Sequence, residues 1–194
     1  MNYPKTIINI IECFKKFPGI GEKTAERMAL ATLDMEEDAL ELFSKSLKNV
    51  KTKIKKCEKC GSLTENELCE ICEDDKRNHE TICVVEECKN VILFEKIGSY
   101  RGVYHVLEGL ISPLEGVNPE DIHIDKLIKR IKEVILALKQ SIEGETTALY
   151  ISKMLEKEPV KVSKIAHGIP MGAEIEYIDP LTLEMAMEDR REIS

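Results

Sequence analysis

Thr81-Ile82-Cys83-Val84-Val85-Glu86-Glu87 is the stretch whose reading decides the fold. Four of its first five residues are β-branched, and the run is too short for a helix with one apolar face. It therefore predicts a buried strand. Two acids follow at its C-terminal end. Working outward, Gly102 to Leu107, Val134 to Leu138 and Val160 to Ala166 have the same texture. Ile124 to Lys132, with Leu127, Ile128 and Ile131 inward, and Thr146 to Glu156 read as helices between them. Strands that alternate with helices predict βαβ units and a parallel sheet covered on both faces. Glu174 to Ile178 reads as one more strand and Thr182 to Met187 as a short helix.

Upstream the texture differs. Residues 5–17 carry Ile7, Ile8, Ile10, Ile11, Phe14 and Phe17 at helical spacing, and Pro18-Gly19-Ile20-Gly21 ends that run. A second helix is expected from Glu22 to Leu33. Asp34 is placed to cap a third, with Ala39, Leu40, Phe43, Leu47 and Val50 on its inner face. Glycines flanking Ile20 permit a tight turn. The turn opens a helix whose first N–H groups lack internal partners and can bind a phosphate. Lys23 and Arg27, four residues apart, share one face near that end. Such contacts grip a backbone without reading sequence. A plain helical hairpin with solvated charges is the alternative.

Cys57, Cys60, Cys69 and Cys72 have the spacing C-x2-C-x8-C-x2-C. Each pair lets two sulfurs from one turn reach the same ion, and four thiolates complete a closed tetrahedral zinc site with no position left for water. The site is expected to be structural, with iron as the rarer occupant. Few apolar residues lie between 57 and 72, so metal supplies much of the folding energy there. Cys13 and Cys83 sit in apolar runs and read as small core residues, and Cys88 receives no role.

The net charge of −8 hides a split. Residues 1–56 carry 11 lysines and arginines against 8 acids, while residues 57–194 carry 17 against 28. Lysines 45, 48, 51, 53, 55, 56 and 59 add positive potential near the hairpin, whereas the acidic remainder suits protein partners. No apolar run approaches membrane-spanning length, and the N-terminus lacks the flank and cleavage site of a secretory signal. The expected compartment is the cytoplasm. No P-loop is present, Gly21-Glu22-Lys23-Thr24 lacking the required glycine spacing. No ATP hydrolysis is expected, and the four histidines form no cluster in the sequence.

The order of these pieces resembles the RecR family of bacterial recombination mediators. The resemblance rests on the PGIG hairpin, the four-cysteine module and the Val84-Val85-Glu86 strand end. It extends through Gly-Leu-Ile-Ser-Pro-Leu-Glu-Gly at 109–116, Glu-Gly-Glu-Thr-Thr at 143–147 and Ile-Ala-His-Gly-Ile-Pro at 165–170. It implies a multi-domain α+β and α/β chain. Residues 1–54 would form a helix-hairpin-helix DNA-binding region, 55–77 a zinc finger, 78–171 a Toprim-type parallel sheet with flanking helices, and 172–194 a Walker B-like oligomerisation segment. Gly19, Gly21, Lys23 and Arg27 would bind DNA without sequence preference. RecO and RecF would be partners in loading recombinase on single-stranded or gapped DNA, and the chain would form a ring tetramer. In catalytic Toprim proteins a strand-end glutamate and an Asp-x-Asp pair serve phosphoryl chemistry. Glu86 matches the glutamate, but Lys139-Gln140-Ser141 stands at the acid pair and also departs from the family's usual Asn-Pro-Thr. Magnesium prefers carboxylates, so a non-catalytic, nucleoid-associated protein is expected. A divergent Toprim nuclease or primase-like enzyme is the alternative. Glu143 and Glu145 are read either as weak ion ligands or as solvated, partner-facing acids.

Overall fold

The computed structural model describes residues 3–124, 131–166, 168–190 and 192. The chain divides into two compact units, Met1–Ile54 and Lys55–Ser194.

The first unit is helical: α1 (Lys5–Phe14), α2 (Glu22–Ala31), a 3-10 turn at Thr32–Asp34, and α3 (Glu37–Lys53). Ile7, Ile10, Ile11 and Phe14 form the inner stripe of α1 and meet Ala25, Met28 and Ala29 of α2, with Ile20 from the turn. The alanines let the two helices pack closely. Lys15 ties them at the surface, contacting Glu12 at 2.9 Å and Glu22 at 2.6 Å. Three expectations need correction. Asp34 lies inside the 3-10 turn, and the residue preceding α3 is Glu36. Cys13 is exposed, because it falls on the outer side of α1. The expected inner face of α3 has no cover in its own unit: no residue of that helix is buried, and Phe43, Leu47 and Val50 are exposed.

The second unit opens with a two-stranded antiparallel pair, β1 (Lys55–Lys56) and β2 (Leu63–Thr64), and the single turn α4 (Glu70–Glu73). Then come β3 (Asn78–Val85), α5 (Cys88–Ile97), β4 (Gly102–Val106), β5 (Glu133–Ala137), α6 (Ile142–Leu155) and β6 (Lys161–Lys164). The sheet is wholly parallel in the order β4-β3-β5-β6. Strand period two sends Val84 to one face, with Leu136, Ile151 and Leu155. Cys83 and Val85 go to the other, with Val91, Tyr104 and Val106. Helix α6 covers the first face and α5 the second, so β3 is apolar on both sides. Burial pushes the Cys83 thiol up to about 12, as befits an inert core cysteine.

All four predicted strands of the sheet are present, three within a residue or two, while β3 begins three residues earlier than expected, at Asn78. Helix α6 starts earlier than expected because Ser141 caps it, accepting the Gly144 N–H at 3.3 Å. Helix α5 has no counterpart among the elements expected from the sequence. The helix expected at 124–132 falls largely on residues outside those described. The strand expected at Glu174–Ile178 is instead a 3-10 turn, Ile175–Tyr177, followed by α7 (Pro180–Glu188). Its alternating residues have no neighbouring strand here to complete a ladder. Asp179 caps α7 and accepts hydrogen bonds from the Thr182 N–H at 3.0 Å and hydroxyl at 2.7 Å.

Candidate nucleic-acid interface and metal centre

The hairpin joins α1 to α2. Gly19 has φ +80°, the left-handed region that a side chain strains. Gly21 is different: it precedes α2 with φ −86°, and a Cβ there would meet nothing within 4 Å. The turn therefore needs glycine at position 19, and at 21 the structure shows only open space. Open space beside a helix N-terminus is where a phosphate oxygen could approach. Lys23 and Arg27 are both exposed on the first turns of α2. Neither makes an ion pair among the described residues, in contrast to Lys15 on the same hairpin.

The four cysteines converge. Their sulfurs all lie within 4.8 Å of one another, and all four residues are buried. The Cys60 and Cys69 sulfurs are 3.5 Å apart. Tetrahedral Zn–S bonds of about 2.3 Å place sulfurs about 3.8 Å apart, so the cage fits zinc. The Ser62 N–H points at the Cys60 sulfur at 3.4 Å and the Cys69 N–H at the Cys57 sulfur at 3.3 Å. Such donors stabilise thiolate charge. Contact with Cys69 pushes the Cys60 thiol upward, and hydrogen bonds from Cys60 and Cys72 hold Cys69 down. Zinc displaces such protons on binding. One structural zinc is held here by four thiolates, with no open position for substrate.

The knuckle is docked on the sheet. The Val106 N–H, at the end of edge strand β4, donates to the Cys60 carbonyl at 2.8 Å. The Cys88 thiol, at the start of α5, faces the Gly61 carbonyl at 3.5 Å. Ile71 packs on the core face under α5. The zinc module is thus a buttress of the parallel sheet.

A cleft of about 590 Å³ opens at the C-terminal ends of the strands. It lies where the order reverses between β3 and β5, the usual ligand position of open α/β sheets. Glu86 and Glu143 both line it. Hydrogen bonding from Ser141 holds the Glu143 carboxyl below its ordinary range. Glu145 faces elsewhere and pairs with Lys164, both oxygens at 3.0 Å. Sequence reasoning missed Glu108, Glu115 and Asp121 on the same wall. Glu108 could have been found from its place just past a strand end. Its φ of +67° is the sole positive value at a non-glycine among the described residues, and its carboxylate pairs with Lys56 of β1. Lys139 and Ser141 also line the cleft, where the acid pair of catalytic Toprim proteins would stand. Among the described residues only the cysteine quartet brings three or more candidate ligands to one point.

A Toprim-type sheet, a closed zinc site and a basic helical hairpin together define a modular DNA-binding protein. The sequence matches the RecR helix-hairpin-helix domain over residues 7–51 and the RecR four-cysteine zinc finger domain over 54–74. It matches the Toprim domain over 80–166 and the RecR C-terminal domain over 168–191. The chain belongs to the RecR family, whose role is that of a recombination mediator in DNA repair. No helix among the described residues is long and apolar enough to cross a membrane.

Proposed function

We propose that this protein is a non-catalytic mediator that acts with RecO and RecF to load recombinase on single-stranded or gapped DNA. The observation that carries the DNA-binding part is the hairpin. Gly19 makes the turn and Gly21 leaves the N-terminus of α2 open. Lys23 and Arg27 stand beside it, exposed and without an ion pair among the described residues. These four residues would grip the phosphate backbone without sequence preference.

A homotetrameric ring is the proposed assembly. Leu40, Phe43, Leu47, Val50 and Ile54 recur at three- and four-residue steps, the spacing of a helix–helix seam, and none is buried in its own unit. The C-terminal segment similarly exposes Ile175, Tyr177 and Leu181. Repetition in a ring would multiply the modest positive charge of each N-terminal unit. We assign residues 1–54 to DNA binding, 55–77 to the zinc finger, 78–171 to the Toprim domain and 172–194 to assembly, in a cytoplasmic, nucleoid-associated protein. Lys139 and Ser141 in the cleft support the absence of catalysis, because a cation stands where magnesium ligands are needed.

A titration of single-stranded DNA across salt, with and without RecO, tests this reading. Affinity should fall steeply with salt. Lys23→Ala with Arg27→Ala should reduce the log–log slope by about 1.4 per engaged hairpin, at about 0.7 per lost contact on a single strand, while the circular dichroism stays unchanged. An unchanged slope in the folded double variant removes the hairpin from the site. The second reading, a divergent Toprim nuclease or primase-like enzyme, draws on the shared cleft position of Glu86 and Glu143. Magnesium-dependent cleavage abolished by Glu86→Gln would establish it.

A further inference from the structure

Between the zinc knuckle and α5 runs a groove of about 680 Å³, lined by none of the cleft residues. Its floor is apolar, formed by Ile71 and the buried Val91, and its two walls are Leu63 of β2 and Ile92 of α5. Leu63 is 50% exposed and Ile92 54%. Leu93 and Ile97 of the same helix are exposed as well. Side chains of this size left in water beside an apolar floor mark an interaction surface.

The charge around the groove identifies what it accepts. Glu65 and Glu70 line it, together with one lysine, Lys96 of α5; on the zinc side Glu58, Glu67, Glu73, Asp74 and Asp75 belong to the same short module, so acids still outnumber the cation. All seven acids are exposed. Only Asp74 has an ion-pair partner among the described residues, Arg77 at 3.8 Å. The one lysine between Cys57 and Cys72, Lys59, has its ammonium against the His79 ring at 3.1 Å. A zinc ion held by four thiolates adds two further negative charges. So negative a surface repels a phosphate backbone and attracts a cationic segment.

We infer that the zinc-module groove is a docking site for a basic amphipathic protein segment, whose apolar side chains fill the space between Leu63 and Ile92 and whose lysines or arginines meet Glu65 and Glu70. The zinc finger is on this account a protein-binding element and not a nucleic-acid reader. The inference is independent of the hairpin and of the cleft acids, so it stands or falls without them.

The test uses the full-length, zinc-loaded protein and two labelled helical peptides, one of leucine and lysine and one of leucine and glutamate in the same amphipathic pattern. Fluorescence anisotropy should show the lysine peptide binding at least about tenfold more tightly than the glutamate peptide. Glu65→Lys with Glu70→Lys, and separately Ile92→Asp, should each weaken the lysine peptide by about tenfold or more, with zinc content unchanged. Glu156→Lys with Glu158→Lys, an exposed acidic pair just after α6, should leave it unchanged. Equal binding of the two peptides overturns the proposal. So does equal loss from the control variant, which would mean that net charge alone is sensed. A fall in oligomer mass on sedimentation of Ile92→Asp would assign the groove to a second copy of this chain instead. Single-stranded DNA that loses affinity on Ile92→Asp would assign it to nucleic acid.

Discussion

Replacing Gly144 by alanine sets two well-known effects against each other. Gly144 is the third residue of α6, in the Glu-Gly-Glu-Thr-Thr stretch. Helix propensity alone favours the change, because alanine is better than glycine in a helix by about 1 kcal/mol. The structure opposes it. A Cβ at Gly144 would lie 1.8 Å from the Lys139 carbonyl oxygen and 3.0 Å from its carbon. That oxygen is held in the turn after β5, where it accepts the Ser141 N–H at 3.0 Å. Relief requires the helix start and the turn to part by on the order of 1.5 Å, and overpacking against rigid neighbours costs about 1–3 kcal/mol, here at the upper end because backbone must move. Subtracting the propensity gain leaves a net loss of about 2 kcal/mol. For a chain of this size that lowers the melting temperature by about 4–8 °C. Differential scanning calorimetry on zinc-loaded wild-type and Gly144→Ala protein measures it directly. A melting temperature equal to or above wild type would mean that propensity decides, and the close approach of α6 to the β5 turn would have to be abandoned.

Cys60→Ser should bring bound zinc, read by plasma emission spectroscopy, from one per chain to near zero. Because metal holds the local fold of a segment with few apolar residues, proteolysis should then cut first between residues 57 and 75; retention of zinc and of protease resistance would refute the closed four-thiolate site. Arg77 holds Glu95 with its Nη1 at 2.9 Å from one oxygen, the other oxygen being bound by Nη2, and the Tyr104 hydroxyl adds a bond at 2.7 Å. These contacts hold the Glu95 carboxyl below its ordinary range, Arg77 contributing most. A depressed carboxylate stabilises the fold fully above its unfolded value, near 4.3, and loses that contribution as pH falls through the folded value. Glu95→Gln should therefore cost on the order of 1–2 kcal/mol near pH 7, by urea denaturation. The gap between the two proteins should narrow as pH falls below about 4, and a gap independent of pH would refute the ion pair. Taking the difference between proteins removes the shared effect of cysteine protonation at the zinc site.

The central sheet was legible because the end of β3 is buried on both faces and is rich in β-branched residues, broken only by Cys83. The zinc site was legible because its ligands are local in sequence. The cleft was legible only in part. Glu86 follows a strand end that the sequence marks, but Glu143 precedes the expected helix start, and Glu108, Glu115 and Asp121 reach the same wall through a long connection between β4 and β5. No local pattern announces that convergence. Glu143 and Glu145 are neighbours in sequence but not in direction: on a helix, residues two apart face different ways, and Glu145 turns toward Lys164 on β6. Glu174 to Ile178 has the alternation of a strand, yet alternation reports a face to be covered and not the presence of a neighbour to pair with. In the single chain it becomes a turn.

Helix α5 went unread for a reason that bears on function. Its boundaries are well marked after the fact: Glu87 and Asn90 form a reciprocal capping box, and Gly98 closes the helix at φ +71°. Its interior is what hides it. Val91 and Phe94 keep helical spacing and pack on the sheet, but Ile92, Leu93 and Ile97 interrupt the polar face that would complete the pattern. A helix that served only to cover β3 would need apolar residues on one side alone. The additional ones cost solubility and gain nothing from the core, since all three remain exposed. Their presence is best explained by a second contact, and Ile92 lies in the groove beside the acidic zinc module. The irregularity that defeats the periodicity argument is thus the same feature that identifies the surface. If the groove has no partner, replacing Ile92, Leu93 and Ile97 together by glutamine should leave every binding property intact and improve solubility. If it has one, that variant should fold, bind zinc and lose the basic peptide.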